Sequence, residues 1–212
     1  MTQNKRVCIA SLELKPMRLL MRLTRQATAT KEPTETEVRA AHAWYQDKLW
    51  IFDVTGNTKK ERLVEVFEYA HQRYGIDTFI IDSMMKCGMA EDDYNGHKAF
   101  VEQLCDFKTK YNCHIHLVAH PRKGIDEVKA PNKLDIKGSG AITDLADNVF
   151  TIWRNKNKQS AHEPDCIWGC EKQRNGEWEG KINLWFDGDS FQYLNHPGQK
   201  SCSYLAALTA HY

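Results

Sequence analysis

Apolar positions along the chain follow two rhythms that alternate through most of its length. Short, mostly apolar runs at residues 7–10, 49–54, 78–81 and 114–119 have the length and composition of buried strands. Between them apolar residues recur every three or four positions. Met17, Leu20, Met21 and Thr24 follow Pro16; Leu63, Val66, Phe67, Ala70 and Tyr74 precede the stop signal Gly75; Phe100, Leu104, Phe107 and Tyr111 line residues 98–111. These stripes predict helices, as does the composition of residues 35–47, which follow an exposed loop rich in Thr, Lys, Glu and Pro at residues 28–36. Strand and helix in alternation predict an α/β fold, a mainly parallel central sheet with helices on both faces.

Past Trp153 the rhythm changes. Residues 166–171, 181–186 and 191–194 read as strands separated by Asn175-Gly176 and Asp187-Gly188. Such dipeptides favour hairpins because they tolerate positive φ, so the sequence predicts a C-terminal antiparallel extension at the sheet's edge. Residues 195–212 show no pattern, which divides the chain into a domain at 1–194 and a tail at 195–212.

Length and composition narrow the class without naming a chemistry. A chain of 212 residues with 42% hydrophobic and 27% charged residues suits one α/β domain with a sizeable core. Net charge of +1 excludes a global positive field, so a nucleic-acid contact must come from a local patch such as the one between Arg122 and Lys137. Seven cysteines, no apolar leader and no run near the ~20 residues of a membrane helix point to reduced thiols in a cytoplasmic protein without a membrane partner. Cys166 and Cys170 are the closest pair; with no second pair at finger spacing, a zinc site is not expected.

The candidate chemistry sits where strands end. Ser11-Leu12-Glu13 closes the first strand, Asp82-Ser83 closes Phe79-Ile80-Ile81, and His120 closes Leu117-Val118-Ala119. A parallel sheet brings Glu13, Asp82 and His120 to its carboxyl edge, where such folds bind ligands. Core packing gains nothing from titratable groups there. Phosphoryl transfer can use all three: a base that orients water, a carboxylate for a metal ion and a donor that senses the terminal phosphate. Singly, each has a bland alternative, since a strand-end Asp is common and His120 could be a turn residue. His114 and His116 read as packing or surface residues.

Arg122, Lys123, Lys129, Lys133 and Lys137 share a loop with Asp126, Glu127, Pro131 and Asp135. It reads either as a solvated mixed-charge loop or, by its place after His120, as a nucleic-acid contact. Gly138, Ser139 and Gly140 then open a short helix whose first amides suit a phosphate. Lys172 and Arg174, one residue apart at a strand end, aim the same way and form either a surface pair or a cationic probe for a neighbour's site.

In this order, Ser-Leu-Glu, Ile-Ile-Asp-Ser, Val-Ala-His-Pro-Arg-Lys, Lys-Gly-Ser-Gly-Ala with Asp147, and Lys-Gln-Arg-Asn-Gly resemble the RecA-like motor domain of DnaB-type replicative helicases over residues 7–194. The phage primase-helicase and Twinkle-like branch is the most similar, because it carries histidine where the bacterial enzymes carry glutamine. The resemblance implies a RecA-like P-loop NTPase fold in a hexameric ring that couples hydrolysis of ATP, with Mg²⁺, to translocation on single-stranded DNA. It implies that Glu13 activates water, Asp82 holds the metal with Ser83 beside the nucleotide, and His120 senses the γ-phosphate. Residues 122–140 would grip DNA, Lys172 and Arg174 would enter the neighbouring subunit's site, and Arg154 would lie near the nucleotide.

The sequence departs from that family in one respect. It holds no G-x-x-x-x-G-K motif followed by Ser or Thr: no two glycines stand five apart, and the one Gly-Lys pair, Gly180-Lys181, precedes Ile182. The expectation is therefore an N-terminally truncated domain whose first strand and phosphate loop are lost or supplied by a separately encoded part. These residues alone are not expected to bind ATP tightly. Two further readings stand beside the helicase motor: a non-catalytic nucleic-acid-binding or assembly module derived from a helicase, and a RecA-like recombinase ATPase.

Overall fold

In the computed structural model, which describes residues 2–54, 56–121, 130–132, 135 and 140–205, the four apolar runs are the strands of one parallel sheet. They are β1 (Val7–Ser11), β2 (Leu49–Ile51), β3 (Thr78–Asp82) and β4 (His114–Leu117), in the order β2-β1-β3-β4. Register is continuous, with Val7 beside Leu49 and Thr78, Ser11 beside Asp82, and Ile81 beside Leu117.

Local chemistry sets the helices between them: α1 (Pro16–Thr28), α2 (Glu35–Tyr45), α3 (Lys60–Tyr74) and α4 (Tyr94–Tyr111). Pro16 opens α1, where no amide is needed, and Lys15 before it is extended, as a residue preceding proline prefers. Thr34 and Glu37 form a reciprocal capping box on α2. Gly75 ends α3 in the left-handed region, and Asn112 does the same for α4. Helix α4 starts earlier than its apolar stripe suggests, because the Asp93 carboxylate accepts from the Gly96 amide at 2.8 Å and caps a turn written in loop-like residues.

The two faces of the sheet are covered by different helices. Cys8, Ala10, Phe79 and Ile81 pack with Leu63, Phe67 and Ala70 of α3 and Phe100, Leu104 and Phe107 of α4. Phe67 and Phe79 lie 4.5 Å apart and both are fully buried, each contributing roughly 1.5–3 kcal/mol. Along β2, Trp50 joins that core while its neighbour Leu49 packs with Ala27, Ala41 and Tyr45 of α1 and α2. Adjacent strand residues face opposite ways, so α1 and α2 lie on the other side.

The antiparallel part is a sheet of its own rather than an added edge. After the short α5 (Gly140–Leu145) come β5 (Asn148–Arg154), β6 (Cys166–Gln173), β7 (Gly180–Phe186) and β8 (Tyr193–Leu194), paired in chain order. The turns differ from the expected ones. Positive φ occurs at neither Asn175-Gly176 nor Asp187-Gly188. The first connection is long enough not to require it, and in the second the Asp187 carboxylate accepts from the Ser190 hydroxyl at 2.5 Å while Phe191 takes φ 60°.

The start of the tail is laid down on the domain. Gln192 donates to the Cys202 carbonyl at 2.8 Å, Tyr204 stacks on Trp44, and Leu205 packs against the α1–α2 cluster. All seven cysteines are free, and no helix among the described residues is long and apolar enough to cross a membrane.

Candidate functional site

Backbone hydrogen bonds lace three strand ends together at the carboxyl edge of the parallel sheet. The Leu12 amide donates to the Asp82 carbonyl at 2.8 Å, tying the end of β1 to that of β3. Met84, in a 3₁₀ turn at Met84–Lys86, donates to the Val118 carbonyl at 2.9 Å, and Val118 donates to Ile81 at 2.9 Å, tying β3 to β4. Glu13, Asp82 and His120 leave this laced edge together, as the strand pattern predicts.

Glu13 is the hub. Its Oε1 accepts from Ser83 Oγ at 2.7 Å and from His120 Nε2 at 3.2 Å. The Ser83 hydrogen bond, followed by that of His120, holds the Glu13 carboxyl below its ordinary range, with the charges of His120 and Lys86 adding to them. Asp82 moves the opposite way: burial pushes its carboxyl up, and the nearby charge of Glu13 pushes it further, against the opposing influence of His120. The two carboxyls are driven apart in acidity, and a cation beside Asp82 would relieve the penalty on its ionised form.

That chemistry fits a divalent ion only when other oxygens complete its shell. No group of three or more His, Cys, Asp or Glu among the described residues could hold a metal. Mg²⁺ takes one or two carboxylates with water and phosphate oxygens, and Asp82 is the residue that would bind it here. The nucleotide fits less well. The glycine-rich amides and lysine that cradle β- and γ-phosphates do not occur in the sequence. A cavity of about 720 Å³ between the end of α1 and the second sheet includes none of Glu13, Asp82 or His120, so chemistry rather than concavity locates the site.

Ser83 is placed differently from the expectation of a nucleotide contact. It is fully buried, and its hydroxyl is committed to Glu13. Arg154 ends β5 in the second sheet, exposed, where its charge acts on Asp165 and Tyr193. His114 and His116 lie exposed on β4 with their rings 4.4 Å apart in edge contact.

Lys172 and Arg174 aim the same way, as alternation predicts, but onto their own chain. Lys172 Nζ donates to the Thr143 and Asp144 carbonyls at 2.9 and 2.8 Å, on the last turn of α5. Arg174 donates to the Asp144 carbonyl and to Asp147 Oδ1, each at 3.0 Å, while Lys108 pairs with Asp147 Oδ2 at 2.7 Å. Cations at a helix carboxyl end complement its free carbonyls and dipole. In the chain by itself, the pair is therefore engaged in cis. Lys108 carries no sequence signal for this role, because its partner is 39 residues away. Gly140 begins α5, whereas Arg122, Lys123, Lys129, Lys133, Lys137, Gly138 and Ser139 lie outside the described residues.

Comparison with known proteins identifies the family and the fold. The family model described as DnaB-like helicase C-terminal domain matches residues 1–195. The Twinkle homolog protein, chloroplastic/mitochondrial, of Arabidopsis thaliana is 27% identical over 133 residues, which cover 59% of this chain and 19% of that protein. Two solved structures share the fold at 16% identity, each covering 91% of this chain. One, described as an ATPase domain, superposes with a TM-score of 0.69 over 75% of its length. The other, a DnaB-like replicative helicase described with its interactions with primase, superposes with a TM-score of 0.74 over 52% of its length. The chain therefore spans about a fifth of the curated relative it matches and about half to three quarters of these structures.

Proposed function

Because this chain belongs to the DnaB-like helicase C-terminal domain family, we propose that it forms the greater part of a motor that couples ATP hydrolysis to movement on single-stranded DNA in replication. The observation that carries the reading is the convergence of Glu13, Asp82 and His120 on one sheet edge, with Glu13 Oε1 bonded to His120 at 3.2 Å. In this reading Glu13 accepts the proton of the attacking water, Asp82 holds Mg²⁺, and His120 links the terminal phosphate to the loop that follows it. Residues 122–140 contact DNA, and α5 begins where that loop ends. Lys172 and Arg174 serve a neighbouring subunit of a ring once they leave α5.

These residues hold no glycine-rich phosphate-loop motif. The test is a chain extended upstream with a strand, a glycine-rich phosphate loop and a helix. ATP turnover stimulated by single-stranded DNA is expected, and Glu13→Gln should lower it by about 10²–10⁴-fold, the usual contribution of a positioned base. Turnover that ignores both DNA and Glu13→Gln would defeat the reading.

A second reading is favoured by the cations that α5 holds in cis. It is a nucleic-acid-binding or assembly module without hydrolysis. Salt-dependent binding of single strands with no turnover in the extended chain would select it.

A further inference from the structure

The two partners of Glu13 differ in kind. Ser83 is fully buried, and its hydroxyl donates to Glu13 Oε1 at 2.7 Å. His120 reaches the same oxygen at 3.2 Å, but its side chain is 48% exposed. A hydrogen bond from a fully buried donor to a charged acceptor is strong and less open to water than one from an exposed donor. Neither bond uses Oε2.

Ser83 is itself rigidly held. Its carbonyl accepts from the Lys86 amide at 3.0 Å and from Cys87 Sγ at 3.7 Å, closing the turn after β3. The Met84 amide beside it is bonded to Val118 at 2.9 Å, which fixes the turn to β4. The hydroxyl that grips Glu13 is therefore mounted on the lacing of the strand ends and not on a loop that moves with a ligand.

We infer that Ser83 is a positioning residue: its hydroxyl fixes Glu13 through Oε1, leaves Oε2 as the oxygen that meets a proton, and keeps this geometry when His120 turns away. A glutamate left to its own rotamers would lose that orientation each time the histidine departed. The inference rests on Glu13 acting as the base. It makes Ser83 the buried half of a clamp on Glu13 whose other half, His120, is exposed.

The test reads Glu13 directly, in the 212-residue chain, by side-chain ¹³C relaxation and three-bond couplings that report rotamer averaging. Wild type and His120→Ala are expected to keep Glu13 in one ordered rotamer. Ser83→Ala should release it into averaging while the rest of the spectrum stays in place, and Ser83→Thr, which keeps the hydroxyl, should restore order. If His120→Ala releases Glu13, or if Ser83→Ala leaves it ordered, the inference is overturned. Should Ser83→Ala fail to fold, the comparison of wild type with His120→Ala still decides, because order that depends on His120 contradicts it. These outcomes do not depend on catalysis. Failure of Glu13 as a base would appear only in turnover, so the two failures are told apart.

Discussion

The place of Asp82 at the strand end sets its charge against the stability of the fold. Its carboxyl is pushed up by burial and by Glu13, so its ionised form is penalised in the folded chain. A raised carboxyl contributes stability below its ordinary range and loses that contribution as pH rises through the folded value. At neutral pH the charge is therefore a burden, and Asp82→Asn should raise Tm by about 2–4 °C, or about 1 kcal/mol. Calorimetry at pH 7 without metal checks this, and a fall in Tm would show that Asp82 is favourably paired. The positions of Glu13, Asp82 and His120 were legible because a parallel sheet puts its strand ends on one edge. The Ser83–Glu13 bond was not, because it joins residues 70 apart through side chains of ordinary type.

At the scale of elements, α5 and its clamp carry the main surprise. Asp147 is held below the usual carboxylate range first by its hydrogen bond to Lys108, then by the charges of Lys108, Arg174 and Lys172, against the opposing effect of burial. A depressed carboxyl contributes stability above its ordinary value of 3.8 that is lost as pH falls through the folded value. Asp147→Asn should therefore cost about 1 kcal/mol at pH 7, a figure that already allows for partial exposure, and the difference from wild type should close in acid. Urea titrations at pH 7 and at acid pH read both halves; a cost that persists in acid would mean shape, not charge, fixes α5. Sequence periodicity located the helices because their apolar stripes face a core. It missed the first turn of α4, where a side-chain cap replaces hydrophobic spacing, and the turn chemistry of the second sheet, where Asp187 and Phe191 replace the expected dipeptides.

The whole molecule presents apolar surface that a sheet protein ordinarily covers. On one face of the second sheet Ile152 lies opposite Trp168, which lies opposite Ile182, and Phe150 and Trp178 both stack on Trp168. Ile152 is 68% exposed and Trp178 48%. Contiguous exposed apolar rows favour association, so the chain should self-associate as its concentration rises. Sedimentation velocity should show this, with Ile152→Glu shifting the distribution toward monomer; a wild-type monomer over a wide concentration range would contradict it. The α/β class and the mainly parallel sheet followed from the alternating rhythm. The separate second sheet did not, because local patterns predict strands but not which edge they join.

The proposed motor stands or falls on whether His120 links turnover to single-stranded DNA. In the chain extended with a phosphate loop, the quantity to measure is the ratio of ATP turnover with single-stranded DNA to turnover without it. A ratio well above one in wild type, falling to about one in His120→Ala, is the predicted result, since coupling of 1–3 kcal/mol corresponds to roughly 5–150-fold. A ratio of one in wild type, or an unchanged ratio in the variant, would contradict it.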